Sequence, residues 1–199
     1  VVCRSAIVGI GPMDDDVGRS LISMMESDQR TLAQLVERGE IGPHQPYHPT
    51  LREIHEANAK ALRKIIDEMG WPGIPQVGES AAEAAWLIAQ HAVFDTDFMS
   101  YCADLLEDAV SKHNVEGWQL AFLRDRLYAT SGKEQIYGTQ FDQDDDGWPI
   151  PFPIQDPDRV DERRRKIGLN SLAERISEMR DREEARRKAV ERADRRKDT

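Results

Sequence analysis

His91 is the residue of this sequence best suited to moving a proton, because an unperturbed imidazole titrates near neutral pH. It stands in an unusual place. The run Ser80-Ala-Ala-Glu-Ala-Ala-Trp-Leu-Ile-Ala-Gln-His-Ala is apolar on almost every side, as a central buried helix must be, and it closes on the polar pair Gln90 and His91. Asp28 raises the same question one helix earlier. It falls on the stripe Leu21, Met25, Leu32 and Leu35, where a packed helix carries an aliphatic residue, so its carboxylate must be paired or accept several hydrogen bonds. His55 and Asn58 in turn share the stripe of Leu51, Ile54, Leu62, Ile65, Ile66 and Met69.

General acid-base chemistry on a small polar molecule needs this kind of set. His91 would transfer the proton and Asp28 would orient it or balance its charge. Tyr137 would donate to a developing negative charge, while Gln90, Asn58, His55 and Gln140 would hold the ligand. Each residue also has a structural reading. A core histidine is usually satisfied by a neighbouring carbonyl, and an inward carboxylate by an arginine such as Arg124 or Arg126. Asp95, four residues after His91, could orient its ring, but its position just before the next helical run reads as an N-cap. If every inward polar group is paired, the chain is better read as an interaction or scaffold module acting through its charged C-terminal helix.

Other chemistries find less support. His91, His55 and Asp28 could in principle hold a metal, but the sequence has no His-Glu-x-x-His, no cysteine pair and no tight ligand spacing, so no metal or cofactor is assigned. His44 and His48 lie in a proline-rich loop and are read as loop residues. Asp142-Gln-Asp-Asp-Asp-Gly147 opens like a calcium loop but has Pro153 where the closing Glu belongs, and it is read as a solvated acidic turn. Cys3 and Cys102 are distant in sequence, a reduced, cytoplasmic pattern with Cys102 on an apolar helix face.

The elements that must position these residues are helical. Periodicity places helices over about 14–38, 50–69, 80–91, 96–112, 114–129, a short one from 157 to 168 and a last one from 171. Capping boxes at Thr50-Leu-Arg-Glu53, Ser80-Ala-Ala-Glu83 and Ser171-Leu-Ala-Glu174 mark three of the starts, and Asn114 is read as the cap of the fifth helix. Gly70-Trp71-Pro72 closes the second, with Trp71 folded back as a plug. Arg124 and Arg126, with Asp125 between them, read as a solvated or salt-bridged turn. The segment 135–154 is β-branched, aromatic and rich in proline, and reads as a small hairpin or two extended arms. Its Tyr-Gly-Thr-Gln stretch is expected to lie over the inner end of the central helix, with Gly138 permitting a close backbone approach.

The expected architecture is therefore all-α: a single-domain bundle of six or seven helices over 14–178. A disordered leader, 1–13, precedes it, with translation expected to begin at Met13, and a solvated charged tail, 179–199, follows. Charge narrows the partners. The net charge is -10, but residues 1–156 hold 12 Lys or Arg against 26 Asp or Glu, whereas 157–199 hold 15 against 11. An acidic body does not suit a phosphate backbone or an anionic membrane, which leaves a small polar molecule, or a protein docking on the C-terminal helix.

Together, Asp28-Gln29, Asn58, Gly70-Trp71-Pro72, Gln90-His91-Ala92 and Tyr137-Gly138-Thr139-Gln140 resemble, in order and spacing, an uncharacterised family of small helical bacterial proteins, a domain of unknown function. The resemblance spans about residues 25 to 175. Relatives often carry an acidic residue directly after Gln-His-Ala, where this chain has Val93, which leaves Asp95 as the nearer acid. The resemblance implies the helical architecture and supports the choice of residues; it implies no activity.

Overall fold

Residues 14–41 and 46–197 are described by the computed structural model, so the expected leader 1–13 and His44 lie outside the described residues. Within them the chain forms eight α-helices, one 3₁₀ turn and one two-stranded antiparallel sheet. This is an all-α protein with a small hairpin, and its packing falls into two compact units divided in sequence between Val115 and Glu116. No described helix is long and apolar enough to cross a membrane.

The first unit contains α1 (Asp15–Glu37), α2 (Pro49–Met69), α3 (Ile74–Val77), α4 (Glu79–His91) and α5 (Thr96–Ser111). Leu21, Asp28 and Leu35 stand two helical turns apart on α1, and all three are buried. Asp28 is thus fixed between two leucine anchors. α4 packs against α1, α2, α3 and α5, and its Ala81, Ala82, Ala84, Ala85 and Ala89 are buried, so small side chains let neighbours approach from several sides. At Gly18 of α1 a Cβ would stand 3.2 Å from the Val77 carbonyl oxygen and 3.6 Å from the Ala81 Cβ, which is why α1 can lie so close to α3 and α4. On α5 the buried face is Phe98, Met99, Cys102, Ala103, Leu106 and Ala109, and Tyr101 is exposed.

Several helix starts differ from the sequence reading. α2 begins at Pro49 with His48 as its cap, the His48 Nδ1 accepting from the Thr50 N–H, because proline at the first helical position moves the start ahead of the Thr50 box. Gly78, with φ of +82°, precedes α4 in place of Ser80. Asp95 caps α5 by accepting from the Phe98 N–H at 2.9 Å, and also pairs with Arg63. Trp71 is buried directly after the Gly70 that ends α2, as a plug would be.

The second unit contains α6 (Gly117–Thr130), β1 (Phe141–Gln143), β2 (Pro149–Pro151), the 3₁₀ turn Pro157–Arg159, α7 (Val160–Lys166) and α8 (Leu172–Lys197). Glu116 and Gln119 form the capping box of α6, the role expected of Asn114. The strands pair Phe141 with Pro151, Asp142 with Ile150 and Gln143 with Pro149. Asp144 shapes the acidic turn between them, its side chain accepting from the Asp146 and Trp148 N–H groups. Ser171 and Glu174 make the expected box at the head of α8. Within the charged segment of that helix, the Arg187 guanidinium lies 4.1 Å above the Trp148 ring and donates to the Asp146 carbonyl.

Candidate functional site

Three helices of the first unit deliver one side chain each to a common point. α1 brings Asp28, α2 brings His55, and His91 is the last residue of α4. The His55 Nε2 lies 2.9 Å from Asp28 Oδ1, and the His91 Nδ1 lies 2.6 Å from Asp28 Oδ2. The two imidazoles face each other with ring centroids 4.6 Å apart. Tyr47, in the segment leading into α2, places its hydroxyl against the His55 Nδ1. Tyr47 carries no sign of this role in its sequence context, since a proline-rich loop has no periodicity from which to read a facing.

The protonation pattern follows from the acceptor in the middle. An ionised carboxylate can only accept, so His55 donates through Nε2 and His91 through Nδ1. Burial works to raise the Asp28 pKa, but the hydrogen bonds from His55 and His91 and the charge of the two rings outweigh it, holding the carboxyl well below the usual carboxylate range. With Nε2–H engaged, a neutral His55 accepts the Tyr47 hydroxyl at Nδ1. A neutral His91 keeps an Nε2 lone pair that makes no hydrogen bond among the described residues. The side chains of Asp28 and His55 are 3% and 8% exposed and that of His91 is 20%, so His91 is the member that solvent or a ligand can reach.

Two further amides lie on the same helices. Gln90 is 2% exposed, and neither its Oε1 nor its Nε2 has a partner among the described residues; Asn58 is nearly as buried, with Nδ2 unpaired. A buried amide without partners costs free energy, about 1–3 kcal/mol per group. Asp28, His55, Asn58, Gln90 and His91 thus all belong to one helical unit.

Tyr137 and Gln140 belong to the second unit, in a loop whose backbone is held from several directions. Asp125, fully buried on α6, accepts from the N–H groups of Ile136, Tyr137 and Thr139 and from the Thr139 hydroxyl. Burial pushes the Asp125 carboxyl up, and those hydrogen bonds pull it back. Gln135 bridges the Gln140 backbone, accepting from its N–H and donating to its carbonyl. Arg164, 1% exposed, donates to the Tyr137 carbonyl and to Asn170. The Gln140 side chain donates to the Thr139 hydroxyl. The expectation of a solvated turn at Asp125 is therefore corrected. Its arginine neighbours suggested surface, whereas four donors from one loop, three backbone N–H groups and the Thr139 hydroxyl, explain an interior acid.

Gly138 has φ of +67°, and a Cβ there would stand 2.8 Å from Ile154 Cδ1 and 2.9 Å from Leu172 Cδ1. The close approach it permits is to those two side chains.

Neither the curated proteins nor the solved structures offer a match to this chain. A family model does match, over residues 15–188, which takes in almost all of both units, and the protein accordingly belongs to a family of unknown function, DUF6624.

Proposed function

We propose that the first unit binds a small polar molecule at the Asp28, His55 and His91 cluster, and that His91 moves a proton to or from it. One observation carries this reading: Asp28 uses both oxygens to take an N–H from each imidazole. That arrangement fixes the His91 tautomer and turns its Nε2 lone pair away from the carboxylate, the way an acid orients a catalytic imidazole. His55 and Tyr47 extend the hydrogen-bonded chain from Asp28 toward the surface, where Tyr47 is exposed, and charge arriving on His91 is balanced by the buried Asp28 anion. Asn58 and Gln90 supply amide groups for the ligand, and their unpaired atoms favour a site completed by a ligand over a network satisfied by itself.

The proposal is confined to residues of the first unit. Cys102 takes no part, since burial pushes its thiol up to about 12 and leaves no thiolate at neutral pH. A buried free cysteine also suits the cytoplasm, which we propose as the location.

A thermal-shift screen of small polar compounds against the full chain tests the reading, because a ligand that binds only the folded state raises its midpoint. We expect hits whose shift disappears in His91→Ala while the variant keeps its helical circular dichroism. A hit that binds and turns over equally well in His91→Ala would refute the assignment.

A further inference from the structure

We infer that the Asp28, His55 and His91 cluster also takes one divalent first-row transition metal ion of the zinc type. The inference rests on the reading above that this cluster is the working site of the first unit, and it names an inorganic ligand for it. One ligand atom from each of the three residues lies within 4.8 Å of the others. Two imidazole nitrogens and a carboxylate oxygen are the donor set that zinc accepts while keeping a further position open. Calcium and magnesium prefer oxygen cages, so two imidazoles out of three donors select against them.

The donors already lie close together, each imidazole nitrogen on its own oxygen of the Asp28 carboxylate. Ligand bonds to zinc are about 2.0–2.2 Å, so donors around one ion stand roughly 3–3.5 Å apart. The nitrogen-to-oxygen separations here are 2.9 and 2.6 Å, held by hydrogen bonds that an ion would replace. Each donor comes from a different helix, so the spacing is set by helix packing and not by a flexible loop. The greater exposure of His91 supplies the approach and the open position.

Tyr47 makes the exchange workable. For the His55 Nε2 to bind an ion, its proton must shift to Nδ1, where the Tyr47 oxygen faces it. A hydroxyl can donate to Nδ1 in the ion-free form and accept from Nδ1–H in the ion-bound form. His91 shifts its proton from Nδ1 to Nε2 in the same way, so two protons move within their rings and none is lost. The base role of His91 belongs to the ion-free form: with an ion bound, its Nε2 would carry the proton and act as a donor, and the ion would supply an acidified water at the open position.

The test uses the full chain, stripped with a chelator and freed of it by dialysis, titrated with zinc by calorimetry and with cobalt(II) by visible absorption. Nitrogen-15 spectra of the histidines in the unsubstituted protein report which rings respond, so no variant has to fold for the site to be located. We expect one ion per chain, perturbed resonances for His55 and His91, and affinity weakened by about tenfold in Tyr47→Phe. Absence of saturable binding, or perturbation of His48 or His113 with His55 and His91 unmoved, overturns the inference. A chain that takes no ion but binds a screened ligand in a His91-dependent manner refutes the metal site alone. A chain that takes the ion through His55 and His91 while His91→Ala leaves ligand turnover unchanged supports the metal site and refutes the acid-base reading.

Discussion

At the scale of single residues, Asp28 is the side chain on which the first unit's polar chemistry depends. It sits in the row of Leu21 and Leu35, and among the described residues its charge is compensated by groups that other helices bring to it. Asparagine keeps one acceptor oxygen but turns an amide donor toward the other imidazole, so one of the two ring N–H groups loses its partner along with the charge. Asp28→Asn should therefore cost about 3 kcal/mol, the scale of breaking a buried charge network by deleting one partner. Urea denaturation of the two chains checks this, and equal midpoints with equal slopes would show that the histidines do not depend on the carboxylate. The need for partners at Asp28 was legible in the sequence, because an acid on an apolar stripe must be compensated. The identity of the partners was less so. His91 was paired with Asp28 from their shared inward facing, but an arginine was the other natural choice, and Tyr47 was invisible. Asp125 was misread for a related reason: its charged neighbours Arg124 and Arg126 hid an acid whose donors come from backbone N–H groups, and backbone donors leave no mark in composition.

At the scale of elements, helices were readable and their first turns often were not. Periodicity reports the buried face, and that survives small shifts of the ends. Caps depend on how the preceding loop arrives: Pro49 moved the start of α2 to His48, and the positive φ of Gly78 set the start of α4. The loop 135–140 shows how firmly irregular backbone can be held. Gly138→Ala would put a Cβ against Ile154 and Leu172 at a φ that L-residues rarely adopt, so we expect a loss of about 1–3 kcal/mol, measured by thermal unfolding. A neutral result would mean the loop yields despite Asp125, Gln135 and Arg164. α8 offers an electrostatic test. Hydrogen bonds from Arg186 foremost, against opposing burial, and then from Arg187, lower the Glu183 carboxyl to about 2. A depressed pKa contributes stability above the ordinary value, and the contribution is lost as pH falls through the folded one. Glu183→Gln should thus be less stable than the parent near neutral pH, with the gap closing between about 4.5 and about 2. Thermal midpoints of both chains at pH 6, 4 and 3 follow the gap, and a constant difference would remove the charge from the explanation.

At the scale of the whole molecule, the charge distribution decides which large partners the chain can hold. Acids outnumber bases 26 to 12 over residues 1–156, and the excess of bases over 157–199 is small, 15 against 11. Much of that positive charge is engaged locally. Arg186 and Arg187 bond Glu183, Lys188 pairs with Glu184, Arg175 pairs with Glu178, and Arg164 is buried against backbone carbonyls. Affinity for duplex DNA comes from cations free to displace condensed counterions, with non-specific dissociation constants of about 10⁻⁴ to 10⁻⁶ M for proteins built to do so. A chain of net charge -10 with its arginines so committed should show no saturable binding to a labelled duplex of about 20 base pairs below roughly 100 µM at physiological salt. Fluorescence anisotropy across a salt series is the measurement. Micromolar binding that weakens steeply with salt would point to cations outside the ion pairs named above, and would move the search for partners from small molecules to nucleic acid.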